Sequence, residues 1–487
     1  MISVSGHGRP NVTFAVLALG VGAFAVLQSL VIPVLITVQH DLHTTQSTVT
    51  WVLTAYLLSA SIMTPILGRV GDMVGKKRVF VAALAALALG SLIAAVASSI
   101  GVLIVARVIQ GVGGGMLPVA LGIIRDEFPA ERVAGAVGTL ASLTAVGGGL
   151  GIVLAGPLVD ALNYHWLFWL PLTLTVVAAA CAIALVPESP IRTRGHISWL
   201  PAVLLSAWLL ALLVALSEAP QWGWRSGRVI GLLAVGALLG AAWVTAELRA
   251  KTPLIDMKMM RQHSVWTNNL VALLVGLGMY AMFAFLPEFV QTPTVAGYGF
   301  GASINQSGLM LLPSSITMFV VGNMAGRLTR LLGGKVLVVA GCLIGGAAMS
   351  ILAFAHHHEW EVYVAGAIMG VGFGLAFSAM SALIVAAVPP SQTGVASGMN
   401  ANIRSIGGSI GSAVMASIVT SQLAASGLPK ESGYTTGFAV MTLGLVLAAL
   451  AGLLMPAAAR LRPGVKEPAH AELAVLAGGT VVGDESE

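Results

Sequence analysis

Fourteen stretches of this sequence are long and apolar enough to cross a lipid bilayer, and they leave little room for anything else. They centre near Phe24, Leu58, Leu89, Gly113, Val146, Val177 and Trp208, and then near Ala237, Leu274, Met318, Gly345, Gly372, Gly411 and Leu447. A helix needs roughly 20 apolar residues to span the hydrocarbon core. Inside lipid every backbone N–H and C=O must be satisfied within the protein, so only helices and closed barrels cross. A barrel strand alternates its facing over about ten positions. The runs here are unbroken, so the fold class is an all-α polytopic membrane protein with 14 transmembrane helices. Composition agrees, with 57% apolar and 9% charged residues against about 25% charged in soluble proteins. Too few charges remain to cover a water-facing surface, which excludes a cytosolic enzyme, a nucleic-acid binder and a disordered chain.

The net charge is +5 and the isoelectric point near 9.4, yet the basic residues are scattered through short loops and form no patch for a polyanion. They report topology. With both termini in the cytoplasm, nineteen of the 24 Lys and Arg fall inside, among them Arg69, Arg125, Arg132 and Arg330. Only Arg225, Arg228 and Lys430 fall outside, while Arg107 and Arg404 lie within spans. This bias follows the positive-inside rule and suits the inner membrane of a cell. The first run is too long for a signal-peptide core and no small-residue cleavage site follows it, so it is expected to stay as a helix. Cys181 and Cys342 sit in apolar runs, which implies no disulfide framework.

The chain repeats itself. GRVGDMVGKK from Gly68 is echoed by GRLTRLLGGK from Gly326, QGVGGG from Gln110 by MGVGFG from Met369, and FPAERVAGAVG from Phe128 by VPPSQTGVASG from Val388. All three echoes share nearly one offset, about 260 residues. They imply an N-terminal six-helix bundle over 1–190, two inserted helices over 191–262, a C-terminal six-helix bundle over 263–458 and a disordered tail over 459–487. Parallel halves related by an axis along the membrane normal are a transporter architecture with the substrate between them.

The segment GRVGDMVGKKR resembles the loop signature that follows helix 2 in the major facilitator superfamily. Gly68, Asp72, Gly75, Lys76 and Lys77 match, Arg78 follows, and Met73 stands where an arginine is usual. The resemblance implies a conformational latch. Gly75 makes a tight turn, and the Asp72 carboxylate meets a helix N-terminus or a cation in one conformation only. The second copy has Arg330 where Asp72 would fall, so an acidic latch is expected on one side. ARVIQGVGGG, with Arg107, Gln110, Gly111 and Gly113, is similar to the superfamily's helix 4 motif. HDLHTTQSTVTWVLTAYLL, PLIDMKMM, LPEFVQ and SGMNANIRSIGGSIG narrow the likeness to the 14-span drug:proton antiporter family, over Phe14 to Leu454. That family exports cationic, lipophilic or antibiotic molecules in exchange for protons, which the resemblance implies here.

Two departures stand out. Relatives often carry Leu-Asp in helix 1, where this chain reads Leu27-Gln28-Ser29; in helix 5, Gly151-Ile152 and Ala155-Gly156 replace the usual Gly-Pro and Gly-Gly, with Pro157 one residue later. If protons are coupled, a carboxylate near the apolar spans must change protonation, and the candidates are Glu288, Asp160 and Asp41. Glu288, in an expected hinge between Pro287 and Gln291, is the preferred proton site; Asp41 is expected to cap the loop before helix 2. Arg107 joins this group, because an arginine at mid-membrane costs about 2.5 to 3.5 kcal/mol and must face protein or water. One charge crossing 100 mV is worth about 2.3 kcal/mol, enough for roughly a 50-fold gradient.

The substrate cavity is expected to include Gln28, Gln110, Phe285, Phe289, Gln291, Met310, Phe373, Asn402 and Arg404, with the flexible and aromatic side chains giving an adaptable surface. His356, His357, His358 and Glu359 form a metal-like string in a short outer loop, read as a solvated connection with no metal. No phosphate-binding loop is present, so no cofactor is expected. The expected partners are a small hydrophobic substrate, protons and lipid, with no nucleic acid and a monomeric state. The alternative function is a uniporter or metabolite transporter without proton coupling. A sensor or intramembrane enzyme finds no support, because the sequence has no Ser-His-Asp arrangement, HExxH or paired membrane carboxylates.

Overall fold

The computed structural model describes residues 10–188, 198–250, 252–421 and 428–456. Fifteen long helices make fourteen crossings. They are α1 (Pro10–Leu30), α2 (Gln46–Val74), α3 (Lys76–Ala95), α4 (Ile100–Gly111) and α5 (Met116–Glu127). Next come α6 (Ala130–Ala161), α7 (Trp166–Leu185), α8 (Trp199–Trp222), α9 (Gly227–Arg249) and α10 (His263–Gln291). The last are α11 (Ile304–Leu332), α12 (Gly334–Phe354), α13 (Glu359–Ala387), α14 (Thr393–Thr420) and α15 (Glu431–Leu453). α4 and α5 are two arms of one crossing, joined by the 3-10 turn Val112–Gly115. The tail from 459 and the basic residues Arg192 and Arg194 lie outside the described residues.

Local sequence sets the helix ends. Thr45, Ser99, Ser226 and Ser303 each accept a backbone N–H of the first turn of α2, α4, α9 and α11, which satisfies a donor that has no partner inside the helix. At α2 this corrects the expectation for Asp41. Asp41 closes the short helix Leu35–Asp41, and Thr45 takes the cap. Only Gly75 separates α2 from α3 and only Gly333 separates α11 from α12, each at positive φ, 128° and 88°. Proline does not break the long helices; α10 continues through Pro287 to Gln291, and α6 through Pro157.

The same helix pairings occur in both halves. α1 packs on α6 and α7, α2 on α4, and α3 on α4 and α7. In the second half, α10 packs on α14 and α15, α11 on α13, and α12 on α13 and α15. The halves meet along two seams, α6 with α11 and α2 with α14, which the duplication exchanges for one another. α8 and α9 pair with each other, and α8 also rests on α2 and α14, against one seam.

Lipid supplies little hydrophobic drive between helices, so close packing by small residues holds such seams. A Cβ at Gly326 on α11 would lie 2.3 Å from the Gly135 Cα on α6, so the two backbones touch. Farther along the same seam, Ser142 on α6 pairs with Ser378 on α13 at 2.7 Å.

Candidate functional site

An even number of crossings puts Pro10 and Leu453 on one side of the bundle, here termed the terminal face; the other is the far face. The terminal face is closed where α2 meets α14. A Cβ at Gly68 would lie 2.4 Å from the Gly394 carbonyl oxygen, so only glycine fits. One turn on, Asp72 Oδ2 accepts the Val395 N–H at 3.2 Å. Val395 is in the first turn of α14, where the helix dipole favours a negative charge. The Lys76 ammonium lies 2.6 Å from Asp126 Oδ2 and 3.8 Å from Asp72 Oδ1, all three side chains out of reach of solvent. Arg125 on α5 crosses to the second half, donating to the Val385 carbonyl and to Thr393 Oγ1.

The other residues of the expected latch stay within the first half. Lys77 donates to the Ile183 carbonyl at 2.8 Å, and Arg78 Nε lies 3.4 Å from Glu188 Oε2. Gly75 faces Glu188, whose carboxylate would meet any side chain placed there. Beside the second copy of the motif, Arg132, Arg327, Arg330 and Glu131 line an open groove of about 500 Å³ between α1, α6 and α11.

Nearer the far face, α2, α8, α10 and α14 enclose a cavity of about 310 Å³ between the halves. α2 contributes Thr54, Leu57, Leu58 and Ser61; α8 contributes Leu213, Leu216, Ser217 and Pro220. α10 adds Tyr280, Ala284 and Phe285, and α14 presents Ser405, Ser409 and Ser412 along one helix face. Thr54 and Ser217 hydroxyls lie 3.3 Å apart across the α2–α8 contact. The lining therefore mixes aliphatic surface with hydroxyls and carries no ionised side chain.

Of the cavity residues expected from sequence, Phe285 lines this space. Gln110 lies inside the first bundle, accepting from Arg107 and donating to Ser91. Phe373, Met310 and Asn402 are buried within the second half. Gln291 is half-buried and donates to Ser307, and Gln28 is half-buried on α1. The serine row of α14 was the signal available in the sequence. The share of α8 was not, because it depends on where the inserted pair docks.

Two arginines lie deep in the protein. Arg107 is fully buried, donating to the Val52 carbonyl and Gln110, with its guanidinium 4.1 Å from the centre of the Tyr56 ring. Its Nη2 has no hydrogen-bond partner among the described residues. Arg404 is stacked 4.2 Å over the Phe377 ring, one turn from the cavity residue Gly408. Neither makes a salt bridge among the described residues.

Glu288, one turn past Ala284 on α10 and nearer the far face, is exposed, and its carboxylate lies near the Tyr434 hydroxyl of α15. The side chain of Asp160 lies outside the described residues. Phe289, next to Glu288, points away from the cavity into a cluster with Tyr298, Tyr434, Phe438 and His356. His356 is buried there, its Nε2 2.8 Å from Glu431 Oε1 and its Nδ1 2.7 Å from the Leu352 carbonyl. With His357, this gives three groups whose ligand-type atoms lie within 4.8 Å of one another. The loop is thus tied to α15, in contrast to the solvated connection expected. Sequence spacing could not show this, because Glu431 arrives from a distant helix. Burial pushes the Tyr298 phenol up, so it stays neutral and donates to the Pro429 carbonyl.

A family profile described as Major Facilitator Superfamily matches residues 17–412, and matches again over 270–481. The chain belongs to the major facilitator superfamily. It is similar to a multidrug resistance protein B homolog of Mycobacterium tuberculosis, 29% identical over 82% of this chain and 76% of that one. It is also similar to a tetracenomycin C resistance and export protein of Streptomyces glaucescens, 26% identical over 86% and 77%. Among solved structures, the human organic anion transporter MFSD10 (TETRAN) has the same fold, with a TM-score of 0.67 at 15% identity, covering 91% of this chain and 99% of that one. Membership makes this a multi-pass membrane transporter of the superfamily rather than an enzyme.

Proposed function

We propose that this transporter exports a hydrophobic drug, antibiotic or natural product by proton antiport and alternating access, acting as a monomer in the inner membrane with both termini in the cytoplasm. The observation that carries the reading is the asymmetry of the cleft. Gly68, Asp72 and Arg125 close the α2–α14 seam at the terminal face, while the cavity beside the same helices lies between the halves nearer the far face. This is the arrangement of one end state, in which a substrate released outward leaves and a proton enters. In this reading Glu288, one turn beyond Ala284 on α10, is the group that takes up that proton from the far side.

The test uses inverted vesicles with an imposed acid interior. Adding a transported compound produces proton efflux under antiport, and Glu288→Gln abolishes that efflux. Substrate movement indifferent to the proton gradient would support uniport, and full gradient-dependent export by Glu288→Gln would remove Glu288 from the mechanism.

A further inference from the structure

We propose that the cavity between α2, α8, α10 and α14 takes lipophilic molecules that lack positive charge and rejects lipophilic cations. This rests on reading the cleft as the substrate site. The first ground is the lining. Its polar groups are hydroxyls, including those of Thr54, Ser61, Tyr280 and Ser409, and no carboxylate reaches it. A hydroxyl both donates and accepts, so it suits uncharged oxygen or nitrogen groups and weakly acidic ones alike. A cation brought into such a space must be matched by a carboxylate or an aromatic cage. The only aromatic rings of the lining are Tyr280 and Phe285.

The second ground is the field. Arg404 lies next to Ser405 and one turn from Gly408, both of which line the cavity, and it stacks on the Phe377 ring. Guanidinium groups stay charged inside proteins. Arg404 is buried and pairs with no acid among the described residues. Charges act over longer distances in a low-dielectric interior, so the Arg404 guanidinium disfavours a cation in the cavity and favours an anion. The acids of these helices are not part of the lining. Glu288 is one turn past Ala284 with its carboxylate near the Tyr434 hydroxyl, and Glu218 follows Ser217 on α8; neither lines the cavity. Asp72 and Asp126 are engaged with Val395 and Lys76 on the terminal face.

The experiment measures equilibrium binding to the purified full-length chain with three probes of similar size: tetraphenylborate, uncharged triphenylphosphine oxide and tetraphenylphosphonium. The expected result is that the borate or the oxide binds at least about tenfold more tightly than the phosphonium. Borate tightest assigns the preference to Arg404, and oxide tightest to the hydroxyls. Ser409→Asp is expected to strengthen phosphonium binding about tenfold or more, and Arg404→Gln to weaken borate binding relative to the oxide. Phosphonium binding as tight as the others in the unmodified chain would overturn the proposal while leaving the cleft as the substrate site. Binding of none of the three, or no response to either substitution, would overturn the cleft assignment itself.

Discussion

Lys76 occupies a place where water does not reach, between the carboxylates of Asp72 and Asp126. Removing one partner from a buried ion pair leaves an uncompensated charge and costs about 3–5 kcal/mol. Lys76→Met is therefore expected to lower the Tm of the purified protein by several degrees, and adding Asp126→Leu to restore part of the loss. Asp72 has a different task. Asp72→Asn keeps the shape but removes a negative charge from the start of α14, a contribution of about 0.3–1 kcal/mol. The fold should survive while the terminal face opens more often, so a cysteine at the buried position Ser397 should react faster with a thiol reagent added from that side. Unchanged reactivity would remove Asp72 from the closure. Gly68, Asp72 and Lys76 could be picked from sequence because they fall in one short stretch. Asp126 could not, because it comes from α5 and only packing brings it to Lys76. Phe289 shows the same limit, since apolar character at a helix end does not tell which neighbour the ring will meet.

At the scale of helices, the seam of α6 and α11 depends on two glycines whose backbones touch. Gly326→Leu is expected to force these helices apart, lowering Tm and abolishing transport. Leu331→Ala, at a site 71% exposed one helix turn away, should change stability by less than about 0.5 kcal/mol. The helices themselves were legible because each apolar run is of spanning length, and Pro65, Pro157 and Pro313 did not interrupt them. Neighbouring helices can re-satisfy the backbone groups a proline frees, which is also why α10 continues past Pro287 to Gln291. The cavity was half legible. Ser405, Ser409 and Ser412 mark one face of α14, but the wall formed by α8 depends on contacts between elements far apart in sequence. Leu213→Trp on that wall is expected to fill the cavity and reduce transport severalfold with little change in Tm.

For the whole molecule, the recurrence of the same helix pairings in both halves supplies two bodies and two equivalent seams, the geometry a rocking transporter requires. The present arrangement closes the terminal face, and alternating access demands a second arrangement in which Gly68 leaves Gly394 and Asp72 releases Val395. The most direct measurement places spin labels at Val74 on α2 and Ala386 on α13, both exposed and on opposite halves at the terminal face. Distances are then read by double electron–electron resonance in lipid, with and without a transported substrate. Two populations are predicted, a shorter one for the closed face and a longer one whose share changes when substrate is added. A single distance, unchanged under conditions in which the same labelled protein transports, would contradict the account.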